Sequence, residues 1–177
     1  MLHVGGRTIL AHILERLAGQ AARIAISANG DPARFAAFGL PILPDRAGAG
    51  QGPLAGLLAG LDWAADAGAA ALLSVPGDTP FIPSDLVVAL APAPSCAASL
   101  GQLHHLVALW PIAARELLRD LLAAPGPRGV GAFGARIGMR AVDFPAIDGP
   151  AGPFDPFLNI NTPDDLARAQ RIMEQPR

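Results

Sequence analysis

Seven residues, Ala69 to Val75, run without polar alternation and end at Pro76-Gly77-Asp78-Thr79-Pro80-Phe81. The second segment is too rich in breakers to be anything but a loop. The first is the pattern of a strand covered on both faces. A strand of that kind needs helices above and below it, and the flanking sequence supplies them. Pro53 occupies the favoured first position of a helix whose Leu54, Leu57, Leu58 and Leu61 share one face, with Gly68 closing it. Thr8 is an N-cap for a helix running to about Ala18, with Ile9, Ile13, Leu14 and Leu17 on one face and Gly19 as the stop.

Strand-like and helix-like patterns then alternate along the whole chain. Arg23–Ser27 and Leu40–Leu43 read as short strands, the first ending in the turn Asn29-Gly30. A helix is predicted from Ser84 to about Leu90, and strands at Ser95–Leu100 and Leu106–Ile112, joined as a hairpin. Helices at Ala113–Ala124 and Val130–Ile137, a strand at Arg140–Phe144 and a helix opened by Thr162-Pro163-Asp164-Asp165 complete the order. Such alternation predicts one domain over residues 1–177, an α/β three-layer sandwich with a mostly parallel sheet. Ligands gather at the carboxyl ends of strands in sheets of this kind, which directs attention to the loops after Ser27, Leu43 and Val75.

Composition removes several function classes. With 51% apolar residues in 177 there is ample material for a core. Thirteen basic and fifteen acidic side chains leave a net charge of −2 with no like-charged block, which disfavours nucleic acid as a partner. The single cysteine, Cys96, excludes an intramolecular disulfide framework and reads as inert core. No apolar stretch approaches the ~20 residues of a membrane span, and the first residues lack the regions of a signal peptide. The chain therefore reads as a cytoplasmic monomer. All thirteen basic residues are arginine and tyrosine is absent, as codon bias in a GC-rich genome would produce.

Asp78 is the strongest chemical candidate, because a carboxylate beyond a buried strand can hold Mg²⁺ together with substrate phosphates. Taken alone, it serves a turn just as well. Asp45, past the Leu40–Leu43 strand, could accept hydrogen bonds from a guanine ring or a ribose. Gly48-Ala49-Gly50-Gln51-Gly52-Pro53 has the look of a phosphate-cradling loop opening a helix, although it matches neither common phosphate-binding fingerprint. Asn159 and Asn161 flank Ile160 on the approach to the last helix. His104 and His105 are strand neighbours, so they should point to opposite faces and not share a metal. Trp63 and Trp110 read as packing residues.

Taken in order, Gly52-Pro53-Leu54-Ala55-Gly56, Val75–Pro83 (VPGDTPFIP) and Phe157–Leu166 (FLNINTPDDL) resemble the molybdenum-cofactor guanylyltransferase family, with Val4-Gly5-Gly6-Arg7-Thr8 ahead of the first helix. The resemblance implies a Rossmann-like nucleotidyltransferase fold and a reaction. GMP passes from GTP to molybdopterin-bound molybdenum, releasing pyrophosphate. It implies that Asp78 binds Mg²⁺ and the triphosphate, that Asp45 contacts GTP, and that Ser27 and Asn29 stand where the family carries an amide. Gly52 and Pro53 belong to its first motif. His104, in a His-containing strand, and Arg128 match further binding positions, while Asn159 and Asn161 would lie on the pterin side. Molybdoenzyme chaperones would be additional partners.

The family's first strand, and the glycine-rich loop with its lysine, precede the Val-Gly-Gly segment, which stands here at Val4. The sheet is therefore expected to lack its first central strand, leaving the backbone groups of two strands unpaired. Either Met1 is a mistaken start or the chain is a degenerate paralogue, and the well-kept later motifs favour the first. As written, the chain is expected to bind GTP·Mg²⁺ poorly. His105 stands where proline is usual, and Gly129 where a second basic residue often follows. Two further readings share the pattern: cytidylyl transfer or nucleotide-sugar synthesis on the same fold, and a non-catalytic carrier of molybdenum cofactor.

Overall fold

The computed structural model describes residues 2–45, 52–126, 128–150 and 152–174. The chain opens with a hairpin that the sequence pattern does not announce, β1 (His3–Val4) against β2 (Arg7–Thr8), turning through Gly5 and Gly6 at positive φ. Helix α1 (Ile9–Leu17) follows, its Thr8 hydroxyl accepting from the Ala11 N–H as expected of an N-cap. The next two strands are shorter than their patterns suggest. Only Ile26–Ser27 (β3) and Ile42–Leu43 (β4) pair, in parallel, and a 3₁₀ helix at Pro32–Phe38 capped by Asp31 joins them.

Helix α2 (Pro53–Asp66) leads to β5 (Ala71–Ser74), and α3 (Leu86–Leu90) follows the breaker-rich loop. Strands β6 (Ser95–Ser99) and β7 (Gln102–Pro111) form the expected hairpin around Leu100-Gly101. Helices α4 (Ala114–Ala123) and α5 (Val130–Arg136), strand β8 (Arg140–Asp143) and helix α6 (Pro163–Met173) close the sequence.

The larger sheet has the order β5-β7-β6-β8. Strand β7 is antiparallel to both neighbours and β6 is parallel to β8, so three of the four strands share one direction. Two apolar layers cover it. One gathers α1, α3, α6 and the Phe81, Phe144, Phe154 and Phe157 rings; the other gathers α2, α4 and α5 around Trp110 and Phe133. The α/β sandwich is thus the one expected from the alternation. Cys96 lies in the second layer, where burial pushes its thiol pKa up, and Trp110 packs there while its indole N–H donates to Ser74. Among the described residues, no helix is long and apolar enough to cross a membrane.

The β3–β4 pair stands apart as a separate two-stranded sheet. Between it and β5 lies a cavity of about 950 Å³, bordered by residues 24–28 on one side and 71–75 on the other. Ile13, Leu14 and Leu17 of α1 and Leu57, Gly60 and Ala64 of α2 contribute to its walls. This slot lies between two strand edges, with a helix to either side, where the sheet was expected to lack a strand. It also explains the burial of β5, which is half-exposed along its length although its sequence reads as fully covered. The β6 strand, paired on both sides, is buried throughout.

Backbone pairing shows which groups face the slot. The Ile26 and Ala28 N–H groups donate to Pro41 and Leu43 of the β4 side, so Ala25 and Ser27 turn theirs the other way. Ile112 N–H donates to Ala70, and the β5–β7 register then directs Leu72 toward β7 and Leu73 toward the slot. Native-state hydrogen exchange should reflect this alternation. The Ala25, Ser27 and Leu73 amides are expected to exchange at least about tenfold faster than those of Ile26 and Leu72. Equal protection on both edges would mean that the slot is closed in solution.

Candidate active site

The candidate residues converge on the carboxyl ends of β3, β4 and β5, and two cavities meet there. Ser27, Asn29 and Asp45, with Gly52, Pro53 and Gly56 of the α2 start, border one end of the large cavity, together with residues 75–77 of the loop after β5. Asn29 fastens the two strand ends to each other. Its Nδ2 donates to Asp45 Oδ2 at 2.8 Å, and its Oδ1 accepts from the Asp45 N–H at 3.0 Å. Arg34 in turn donates to the Asn29 carbonyl at 2.9 Å. Asn29 thus orients Asp45, a role that its position in the sequence does not reveal.

Helix α2 begins at this end. Gly52 caps it at φ +66°, a conformation that favours glycine, and Pro53 takes the first turn. The helix brings the positive end of its dipole to the cavity mouth. Gly48, Gly50 and Gln51 of the predicted cradle lie outside the described residues. Gly56 is there for space: a Cβ on it would stand 2.7 Å from Ser27 Oγ and 3.3 Å from Asp45 Oδ1.

Asp78 is half-buried in the loop after β5. Its main-chain carbonyl accepts from the Ile160 N–H at 3.0 Å, and its Oδ1 accepts from Asn159 Nδ2 at 3.1 Å. The loop itself is stiffened by Thr79, whose buried hydroxyl donates to the Pro76 carbonyl. On the far side of Pro76 is a second cavity of about 270 Å³, lined by His104, His105, Leu106, Val107, Val130, Asn159 and Pro76.

Both histidines border this small cavity, yet their rings take opposite layers as strand alternation leads one to expect: His104 packs on the Phe157 ring, and the His105 ring lies against Gly131 of α5. The register of β7 against β6 jumps between Cys96–Ala108 and Ala97–His104, leaving residues 105–107 as a bulge. His104 Nε2 lies 3.1 Å from Asp155 Oδ2 without forming a linear hydrogen bond. Asp155 Oδ1 accepts from the Phe157 N–H at 2.7 Å, and the Phe157 ring backs the imidazole at 4.9 Å. Asp155 is absent from the sequence-derived set. It precedes the FLNINTP motif by two residues, which is the only signal that could have found it.

Two candidates stand apart from these contacts. Arg128 is exposed and donates to the Ala124 carbonyl at 3.2 Å. Asn161 is exposed, and its backbone N–H donates to Asp165, which forms the capping box with Thr162. The Thr162 hydroxyl, with the Thr162 and Asn161 N–H groups, holds the Asp165 carboxyl below its ordinary pKa. Among the described residues, no group of three or more His, Cys, Asp or Glu side chains is arranged to hold a metal.

The family model of the MobA-like NTP transferase domain matches residues 1–140. The chain belongs to the MobA-like NTP transferase family. A relative named molybdenum cofactor guanylyltransferase, from Acidiphilium cryptum, is 53% identical over 96% of this chain and 84% of its own length. A second of the same name, from Rhodopseudomonas palustris, is 47% identical over 96% and 82%. Among solved structures, molybdopterin-guanine dinucleotide biosynthesis protein A from Archaeoglobus fulgidus superposes with a TM-score of 0.67 at 19% identity, covering 97% of this chain and 88% of that one. A 4-diphosphocytidyl-2C-methyl-D-erythritol synthase from Anaerococcus prevotii reaches 0.72 at 12% identity, over 98% and 88%. These structural likenesses establish the nucleotidyltransferase fold.

The crowding at Gly56 makes it a sensitive probe of the Ser27–Asp45 edge. Gly56→Ala gains about 0.5–1 kcal/mol of helix propensity and loses a comparable amount to the Ser27 contact. Its unfolding midpoint should therefore stay within about 4 °C of the parent. Because Ser27 and Asp45 must move aside, GTP affinity measured by calorimetry should fall about tenfold. Unchanged affinity would mean that the nucleotide does not reach the Ser27–Asp45 edge.

Proposed function

We propose that this chain transfers GMP from GTP to molybdopterin-bound molybdenum, forming the guanine dinucleotide cofactor and releasing pyrophosphate. The observation that carries the reading is that two cavities adjoin at Pro76, two residues before Asp78, whose carboxylate is held by Asn159 of the smaller one. One is bordered by Asp45 and the α2 start, the other by His104 and Asn159. Nucleotidyl transfer needs the acceptor phosphate to reach the α-phosphate directly, and the two cavities adjoin at Pro76 and Leu106. Relatives named for this reaction cover nearly the whole chain.

In this reading GTP lies on the large-cavity side. The Asp45 carboxylate accepts from the guanine N–H groups, held in register by Asn29, while the phosphates meet the α2 N-terminus. The acceptor lies on the small-cavity side, near Asn159 and His104. Arg128 and Asn161 are proposed as peripheral contacts to the acceptor. The chain's contribution to the reaction is alignment of the acceptor phosphate with the α-phosphate of GTP.

Mg²⁺ is the proposed metal, and the residues present fit it. Asp78 Oδ1 is engaged by Asn159, and Oδ2 has no partner among the described residues. One carboxylate suffices for a hard cation that draws its remaining ligands from phosphates and water. When bound, the ion supplies charge neutralisation at the phosphates.

Asp78→Ala should lower GTP-dependent formation of the dinucleotide cofactor by about a hundredfold or more. The thermal midpoint should move only a few degrees, since a half-buried loop carboxylate contributes one hydrogen bond and little packing. Activity retained within about threefold would remove Asp78 from the mechanism, and loss of folding would make it a structural residue.

A further inference from the structure

We infer that Asn159 is a positioning residue for Asp78, setting the direction of the carboxylate oxygen that faces the cation. The inference rests on the reading of Asp78 as a cation ligand and adds a role that binding of the acceptor does not require. Residues 159 and 160 hold Asp78 at two points across 81 residues of sequence. The Ile160 N–H fixes its carbonyl at 3.0 Å, and Asn159 Nδ2 fixes Oδ1 at 3.1 Å. Phe157 and Ile160 are 0% and 2% exposed, so burial on either side of Asn159 determines where its amide falls.

A carboxylate on an unsupported loop samples several rotamers. One whose Oδ1 is committed to an amide N–H presents Oδ2 in a single direction. The chemistry of the donor suits the task. Asn159 donates without carrying a positive charge, so it restrains the carboxylate and does not repel a divalent cation as lysine or arginine would. The Thr79–Pro76 hydrogen bond restrains the loop backbone but leaves the Asp78 side chain free, so the amide is what orients it.

The test is a double-mutant cycle read by Mn²⁺ affinity in the presence of GTP, using the free-ion resonance signal, on the parent chain, Asn159→Ala, Asp78→Ala and the double variant. Asn159→Ala should weaken Mn²⁺ binding by about tenfold or more. Asp78→Ala should weaken it at least as much, and the double variant should match Asp78→Ala, because Asn159 acts only through that carboxylate. Thermal midpoints within a few degrees of the parent are expected for both single variants. Unchanged affinity in Asn159→Ala, an effect that persists in the Asp78→Ala background, or collapse of folding in Asn159→Ala alone would overturn the positioning role. Parent-like affinity in Asp78→Ala, or no Mn²⁺ uptake by the parent, would instead overturn the cation-site reading beneath it.

Discussion

Strand β5 is hydrogen-bonded on one edge only, and the site depends on what that arrangement leaves open. On its β7 side it is locked into the larger sheet, which fixes where its carboxyl end delivers the Pro76–Thr79 loop. On its other side the backbone faces a slot rather than a neighbour. Buried backbone groups without partners cost about 1–3 kcal/mol each. A slot between two such edges is tolerable only if water enters, and the half-exposure of every β5 residue is what water access would produce. The β3–β4 pair is held in place from elsewhere, by the Asn29–Asp45 clamp at its carboxyl end and by packing on α2.

The site inherits its division from this framework. The loop after β5 stands between a large cavity reaching back along the slot and a small one bordered by the bulge in β7, Val130 and Asn159. The two sides are built differently. On the large side, main-chain geometry dominates, through the α2 N-terminus, the positive φ of Gly52 and the bare Cα of Gly56. On the small side, side chains dominate: Asp155 against His104, Phe157 behind the imidazole, Asn159 on Asp78. Asp78 is gripped from the small side, through the Asn159 amide.

Much of this is legible from residues alone, for identifiable reasons. Helices α1, α2 and α6 declare themselves through local chemistry: the Thr8 hydroxyl, Pro53 at the first position, and the Thr162–Asp165 capping box. The loop after β5 is written in its breakers. Strands β3 and β4 are less legible because their length is decided by tertiary pairing, and the slot removes the partner that would have extended β3. The bulge in β7 beside His104 is hidden for a related reason, since a bulge is a property of two strands and not of one. Asp155 and the clamp role of Asn29 are invisible in sequence because each acts on a residue many positions away.

In the proposed arrangement Asp78 stands between nucleotide and acceptor, with the guanine toward Asp45. Crystals grown with GTP and Mn²⁺ test it most directly, because manganese locates itself by anomalous scattering. A manganese peak is expected within coordination distance of the Asp78 carboxylate, with a guanine ring at the Asn29–Asp45 edge. A nucleotide bound in the His104 cavity, or a manganese peak remote from Asp78, would contradict it.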